Sequence, residues 1–196
     1  MKKRRLWALL GLFVAVGAAF LLLSFRLAVS DTRSEKSIGT TGMGNQMPDA
    51  MRRRDKITIA VVGEGPWART IKRALTSEMD QAELGDVQEA LDLQQSYQNP
   101  VVLVKMDKRS LFWTPFFATS TFEIHVGFAS SGDTGLLGDT PITVDNRNGP
   151  VLVMSGEYKF ADRSWGLMSR PGYHHFLAEY VARQIVASLK DLYAAP

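Results

Sequence analysis

The opening of the chain constrains everything after it. Lys2-Lys3-Arg4-Arg5 precedes twenty residues, Leu6 to Phe25, that carry no charge. A helix rises about 1.5 Å per residue, so twenty residues cover about 30 Å, the hydrocarbon thickness of a bilayer. Leu6, Trp7, Phe13, Phe20 and Phe25 would meet lipid, and the Trp7 indole suits the headgroup region. A helix apolar all round and flanked by four cations fits poorly on a globular surface. A secretory signal peptide has a shorter apolar region, about 7–15 residues, although Ala28-Val29-Ser30 also passes as a small-residue cleavage site. The basic tip favours a cytoplasmic N-terminus. The expectation is a single-pass signal-anchor in residues 1–30, with the rest of the chain outside the cytoplasm.

Charge divides the chain in the same way. Residues 1–54 hold ten Lys/Arg against three Asp/Glu, and residues 55–196 hold thirteen against seventeen. The pI of 9.2 therefore belongs to the N-terminal quarter. The remainder is mildly acidic and has no dense basic cluster to neutralise phosphates, which excludes nucleic acid as the expected partner. With no cysteine, disulfides, thiolate zinc sites, cysteine nucleophiles and lipid attachment through an N-terminal Cys drop out.

From Asp31 to Asp55 the sequence turns to Ser, Gly, Thr, Asn and Met without an apolar period, which reads as a flexible tether over residues 31–55. Arg52-Arg53-Arg54 closes it, either solvated or touching anionic headgroups.

Residues 56–196 carry the periodicity of a folded domain. Ile57–Val62 and Val101–Met106 are short, largely β-branched runs, as in central strands. Between them Pro66 suits a helix start, and Ile71, Ala74, Leu75 and Met79 recur at helical spacing. Val87, Ala90 and Leu91 suggest a second, shorter helix. Phe116–Phe128 alternates with Phe122, Ile124, Val126 and Phe128 on one side, and Val151–Phe160 alternates likewise, so each has one buried face. Asn148-Gly149 is a turn signal between them. Tyr173, Phe176, Leu177, Tyr180, Val181, Ile185, Leu189 and Leu192 form the stripe of a long last helix, capped by Ser169 or Gly172. The expected fold class is α+β: an anchor, then a two-layer sandwich of about four mostly antiparallel strands with two or three helices on one face.

This order, carried by Ile57–Val62, Pro66–Met79, Val101–Met106, Phe116–Phe128, Val151–Phe160 and Gly172–Leu192, resembles the small domains of the lipopolysaccharide-assembly lipoprotein and the TolB N-terminal domain. The resemblance covers nearly all of residues 57–192 and rests on topology without a motif. It implies an accessory or docking part of an envelope assembly. The chain departs from that pattern by lacking a lipid-bearing Cys and carrying an apolar span instead.

Each candidate site has a plainer reading beside it. Gly63-Glu64-Gly65-Pro66-Trp67-Ala68 fits G-x-G-x-x-A after a strand, the dinucleotide context. Pro66 removes an amide there, however, Trp67 is bulky beside the phosphate position, and a plain turn explains the glycines. His174 and His175 are neighbours whose side chains diverge by about 100° on a helix, and His125 could join one only if the fold allowed it. Asp133, Asp139 and Asp145 lie in a Gly-rich loop without a calcium-loop spacing. No cofactor or metal is expected. Leu111–Phe117 is the densest aromatic stretch beyond the anchor, and aromatics are enriched where partners meet. Phe112, Trp113, Phe116, Phe117 and Trp165 are therefore the expected partner-binding residues, unless they close the end of the core. The functional expectation is a non-catalytic, membrane-anchored accessory subunit that meets the bilayer through residues 6–25 and other membrane or envelope proteins through this patch. The alternative is a small-ligand, nucleotide or metal-binding domain, possibly an enzyme, using Gly63–Ala68 or His125, His174 and His175.

Overall fold

The computed structural model describes residues 11–12, 14–18, 23–42, 56–63, 65–90, 96–137 and 152–194. The β-branched run at 57–62 becomes strand β2 (Lys56–Val62), in which Ile57, Thr58, Ile59 and Ala60 are all buried. Burial on both faces explains the absence of alternation. The anticipated helix follows as α1 (Pro66–Gln81), with Pro66 in its first turn and Trp67, Ile71, Ala74, Leu75 and Met79 inward. Strand β4 (Val101–Trp113) is buried at Val101, Val102 and Val104 and then emerges toward solvent. Strand β5 (Phe117–Ala129) alternates as expected. Strand β6 (Leu152–Met168) runs well beyond Phe160 and leads into α2 (Arg170–Ala194).

Two elements correct the sequence reading. Residues 26–42, expected to end the anchor and open a tether, form a seventeen-residue strand β1 (Arg26–Gly42). It pairs antiparallel with β6 from Arg26↔Met168 to Gly42↔Leu152. Residues 43–55 of the expected tether, like the Asn148-Gly149 turn, lie outside the described residues. The short second helix is instead strand β3 (Asp86–Glu89), reached through a tight turn in which Glu83 (φ 53°) and Gly85 (φ 124°) take the left-handed region. With α1 as its crossover, β3 lies parallel to β2.

Among the described residues the sheet therefore has six strands in the order β1-β6-β5-β4-β2-β3, not about four. Pairing is antiparallel from β1 to β4, but β2 is parallel to both neighbours. The fold is mixed α/β. Both helices cover one face, where Phe122, Ile124, Phe128, Met154, Tyr158 and Phe160 meet Leu75, Met79, Leu177, Val181, Ile185 and Leu189. Each aliphatic side chain of that size contributes about 1.5–3 kcal/mol on full burial. Among the described residues, the opposite face is covered only at one end. There the 3-10 turn Thr134–Leu137 packs with Ala60, Val101 and Ala129, and Leu137 lies so close to Gly127 that a Cβ would approach it within 2.8 Å.

Of the expected anchor, Leu6, Trp7, Phe13 and Phe20 lie outside the described residues. Residues 11–12 and 14–18 are helical, and no helix among the described residues is long and apolar enough to cross a membrane. Phe25 belongs to the domain rather than to a span. Its N–H donates to Ser169 Oγ (2.9 Å) and its carbonyl accepts from Ser169 N–H (3.0 Å). Ser169 is the expected cap: its Oγ also accepts from Gly172 N–H at 3.0 Å, satisfying one of the first amides of α2.

Candidate docking face

The uncovered end of the sheet holds β1 residues 27–31, the end of β6, the start of β5 and the end of β4. Register places Val29 opposite Trp165, and Trp165 opposite Phe117. Phe117 and Trp165 have ring centroids 6.0 Å apart, and Phe112 joins them from β4 at 6.3 Å from Phe117. Leu27 and Val29 are each 75% exposed, Phe116 67%, Phe112 55% and Trp165 49%. Scattered exposed apolar residues are ordinary, whereas a contiguous row across four strands makes this end a candidate contact surface.

Local chemistry fixes this row. The turn from β4 to β5 is held by Thr114, whose Oγ1 accepts from Phe117 N–H (3.0 Å) while its own N–H donates to Phe117 O (2.8 Å). The turn leans on β6 through Gly166 N–H to Phe116 O (3.0 Å) and Met168 N–H to Pro115 O (2.9 Å). Gly166 sits at φ 127°, and a Cβ there would meet Leu27 O at 2.4 Å. Glycine is required on both counts.

Away from the aromatic row the same face is polar. A shallow depression of about 250 Å³ is lined by Asp31, Arg33, Thr119, Thr121 and Arg163. A broader one of about 510 Å³ is lined by Glu35, Lys108, Ser110, Glu123 and Lys159. Lys108–Glu123 (3.1 Å) and Lys159–Glu157 (3.4 Å) balance charge across it. Exposed pairs of this kind add little stability. They leave a wet, adaptable surface beside an apolar one.

Four of the five expected contact residues, Phe112, Phe116, Phe117 and Trp165, gather at this end. Trp113 does not belong with them. It is partly buried against the core on the helix side, because a bulge between Met106 and Lys108 reverses which residues of β4 face the helices.

The candidate ligand residues are not brought together. His125 faces the open side and pairs with Asp107 (3.0 Å). His174 lies on the helix side against Trp67, and His175 pairs with Glu179 one turn on (3.1 Å). The sheet thus separates His125 from His174. Among the described residues no three His, Asp or Glu side chains are placed to hold a metal. Asp133 Oδ1 accepts from Gly135 N–H (2.8 Å) and shapes its own turn, while Asp139 and Asp145 lie outside the described residues. Gly63 (φ 138°) and Gly65 (φ 93°) turn the chain from β2 into α1. Trp67 is buried edge-on against Phe122, and the cleft of about 200 Å³ beside that turn is lined mostly by apolar side chains such as Val61, Ala68, Ile71 and Val104.

A buried polar cluster on the helix side escaped the sequence reading. Asp162, 1% exposed, accepts from Thr32 Oγ1 (2.6 Å), Ser164 Oγ (2.9 Å) and Tyr173 OH (2.8 Å). Ser30 bridges Ser164 to Arg26, whose guanidinium stacks 3.6 Å from the Phe176 ring centroid. Burial pushes the Tyr173 phenol well above its ordinary range. The available signal was the run of polar residues at inward positions: Ser30 and Thr32 on β1, Ser120 on β5, Asp162 and Ser164 on β6.

His174 gives this end a pH dependence. Burial first, then the charges of Arg109 and Arg170, push its pKa down to about 4 from 6.5. The unfolded chain takes up a proton below about pH 6.5 and the folded chain does not until about pH 4, so stability falls as pH drops through that window. Discounted for partial solvent screening, the loss is about 1–2 kcal/mol. Urea unfolding at pH 7 and pH 4.5 should show it, and His174→Gln should remove most of that difference. An unchanged pH slope in the variant would exclude His174 as its source.

Neither a protein-family model nor a curated protein matches the sequence. Among solved structures, the chain is similar to the PelC L103M dodecamer from Paraburkholderia phytofirmans at 13% identity and a TM-score of 0.40. That match covers 82% of this chain and 98% of the other. A second PelC dodecamer structure from the same organism gives 11% identity and a TM-score of 0.38, covering 79% and 94%. A minor lipoprotein from Acinetobacter baumannii gives 9% and 0.31, covering 69% and 94%. Likeness at this level assigns no family.

Proposed function

We propose that this chain is a membrane-anchored, non-catalytic accessory subunit whose open sheet face docks another envelope protein. The apolar stretch that ends before Phe25 lies in the bilayer with the N-terminus in the cytoplasm, and the domain, Phe25 included, stands outside it. The observation that carries this reading is one of position. The apolar opening stretch joins the domain at Phe25, at the same end of the sheet as the exposed residues Leu27, Val29, Phe112, Phe116 and Trp165. Retention of the anchor is supported by the fold, since a cut after Ser30 would strip Phe25 from Ser169 and Arg26 from the Asp162 cluster.

The test is site-specific photocrosslinking in intact membranes, with benzoylphenylalanine at Phe112. A discrete protein adduct is expected, and Trp165→Glu with Phe117→Glu should reduce its yield about tenfold, equivalent to losing one hot-spot contact of about 1.4 kcal/mol. Adducts with lipid alone would overturn the docking reading. Protection of the domain from protease added outside the cell would overturn the topology.

A further inference from the structure

The two edges of the sheet are guarded differently. At one, β3 is four residues long and exposes Asp86, Gln88 and Glu89, the short, charged kind of edge that discourages pairing. At the other, β1 runs seventeen residues without a proline, and its register with β6 is unbroken, so no bulge turns it away. Among the described residues no strand pairs with its outer side.

The ladder shows what that side offers. Ser169 N–H donates to Phe25 O, one step beyond the Arg26↔Met168 pair and in the same register. Antiparallel pairs alternate between hydrogen-bonded and non-hydrogen-bonded, so the odd-numbered residues of β1 direct their N–H and C=O to β6. The other side of β6 agrees: Gly166 and Met168 N–H turn away from β1, to Phe116 O and Pro115 O. The even-numbered residues from Arg26 to Gly42 therefore aim N–H and C=O outward.

Charge selects the occupant. On the open face Lys108, Glu123, Lys159 and Glu35 stand opposite one another in turn across β4, β5, β6 and β1. Sign alternates along this row, which stops at the free edge on a carboxylate. The next position calls for a cation. Arg33, two residues from Glu35 on the same face, is exposed, and its 3.3 Å ion pair with Asp31 of its own strand is exposed too.

We propose that β1 pairs antiparallel with β1 of a second copy of this chain, about a two-fold axis at Ser34. Glu35 then lies opposite the partner's Arg33, and symmetry repeats the pair. Thr32 lies opposite the partner's Lys36, and all seventeen residues overlap. Such an interface is self-complementary, as a two-fold dimer requires. Neighbouring registers fail on charge, because like charges directly opposite are destabilising. An axis at Arg33 sets that arginine against itself and Asp31 against Glu35, and an axis at Glu35 sets two carboxylates together. An axis at Thr32 pairs Asp31 with Arg33 but leaves Glu35 facing Val29 and shortens the overlap. The pairing uses the edge of the sheet and does not depend on the docking or anchor readings.

The experiment is sedimentation equilibrium of the full chain in density-matched detergent micelles. The parent should dimerise. Arg33→Glu alone, or Glu35→Arg alone, sets like charges opposite each other twice and should weaken association about tenfold. An equimolar mixture of the two variants should recover the parent's affinity, since every Glu then faces an Arg, and circular dichroism checks that each is folded. A second measurement uses the absence of native cysteine. Opposed Cα atoms in a non-hydrogen-bonded pair are about 4.5 Å apart, within disulfide range. Arg33→Cys mixed with Glu35→Cys should therefore oxidise to the mixed disulfide in preference to either homodimer. A monomeric parent, a dimer indifferent to both charge variants, or a mixture that neither recovers affinity nor favours the mixed disulfide overturns the pairing.

Discussion

Asp162→Ala should destabilise the domain by about 3–5 kcal/mol, a large fraction of the 5–15 kcal/mol typical of a folded domain. The carboxylate accepts from Thr32, Ser164 and Tyr173 at 2.6–2.9 Å, and Tyr173 also reaches Ser120 at 3.2 Å. Alanine leaves those hydroxyls without their acceptor and removes the negative charge that favours the Arg26 cation. The cluster joins β1, β5, β6 and α2, so the loss is not confined to one element. Asp162→Asn keeps an acceptor and the side-chain volume and should cost roughly half as much. Urea unfolding checks both: the midpoint should fall with an unchanged slope. An Asp162→Ala midpoint within about 1 kcal/mol of the parent would mean that the cluster does not hold β1 to the sheet.

That cluster also explains which parts of the fold were legible. Strands β2, β4 and β5, the first part of β6, and both helices announce themselves because their inward positions are apolar. β1 does not, because its inward Ser30, Thr32, Ser34 and Lys36 meet polar partners: Ser164, Asp162, Tyr180 and Ser188. A strand satisfied by hydrogen bonds has no hydrophobic period to read. β3 is only four residues long, and Val87 with Ala90 and Leu91 mimics a helical repeat. The aromatic row at the open end of the sheet was legible in part. Phe112, Phe117 and Trp165 could be named from aromatic density, but Trp113 could not be separated from them, since one extra residue at Asp107 reverses the parity of β4. The Arg109–His174 contact joins β4 to α2, two elements distant in sequence that only the fold brings together.

Gly172→Ala is expected to detach the N-terminal segment from the domain. In an open helix the change would stabilise by about 0.5–1 kcal/mol. Here the added Cβ would lie 2.2 Å from Phe25 O, 2.7 Å from its carbonyl carbon and 2.9 Å from its nitrogen. Backbone atoms cannot rotate away as a flexible side chain can, so Phe25 must retreat. Its three hydrogen bonds with Ser169 then break, each worth about 1 kcal/mol net, and overpacking adds about 1–3 kcal/mol. Set against the helix gain, the net expectation is a loss of about 3–5 kcal/mol. Amide hydrogen exchange locates it: protection should fall first at Phe25 to Val29 and spread along β1, while β4 and β5 keep theirs. Because Leu27 and Val29 form one flank of the exposed row, the same variant should weaken crosslinking from Phe112 while leaving that ring in place. A variant as stable as the parent, with Phe25 still protected, would show that α2 does not clasp the chain where the apolar segment meets the sheet.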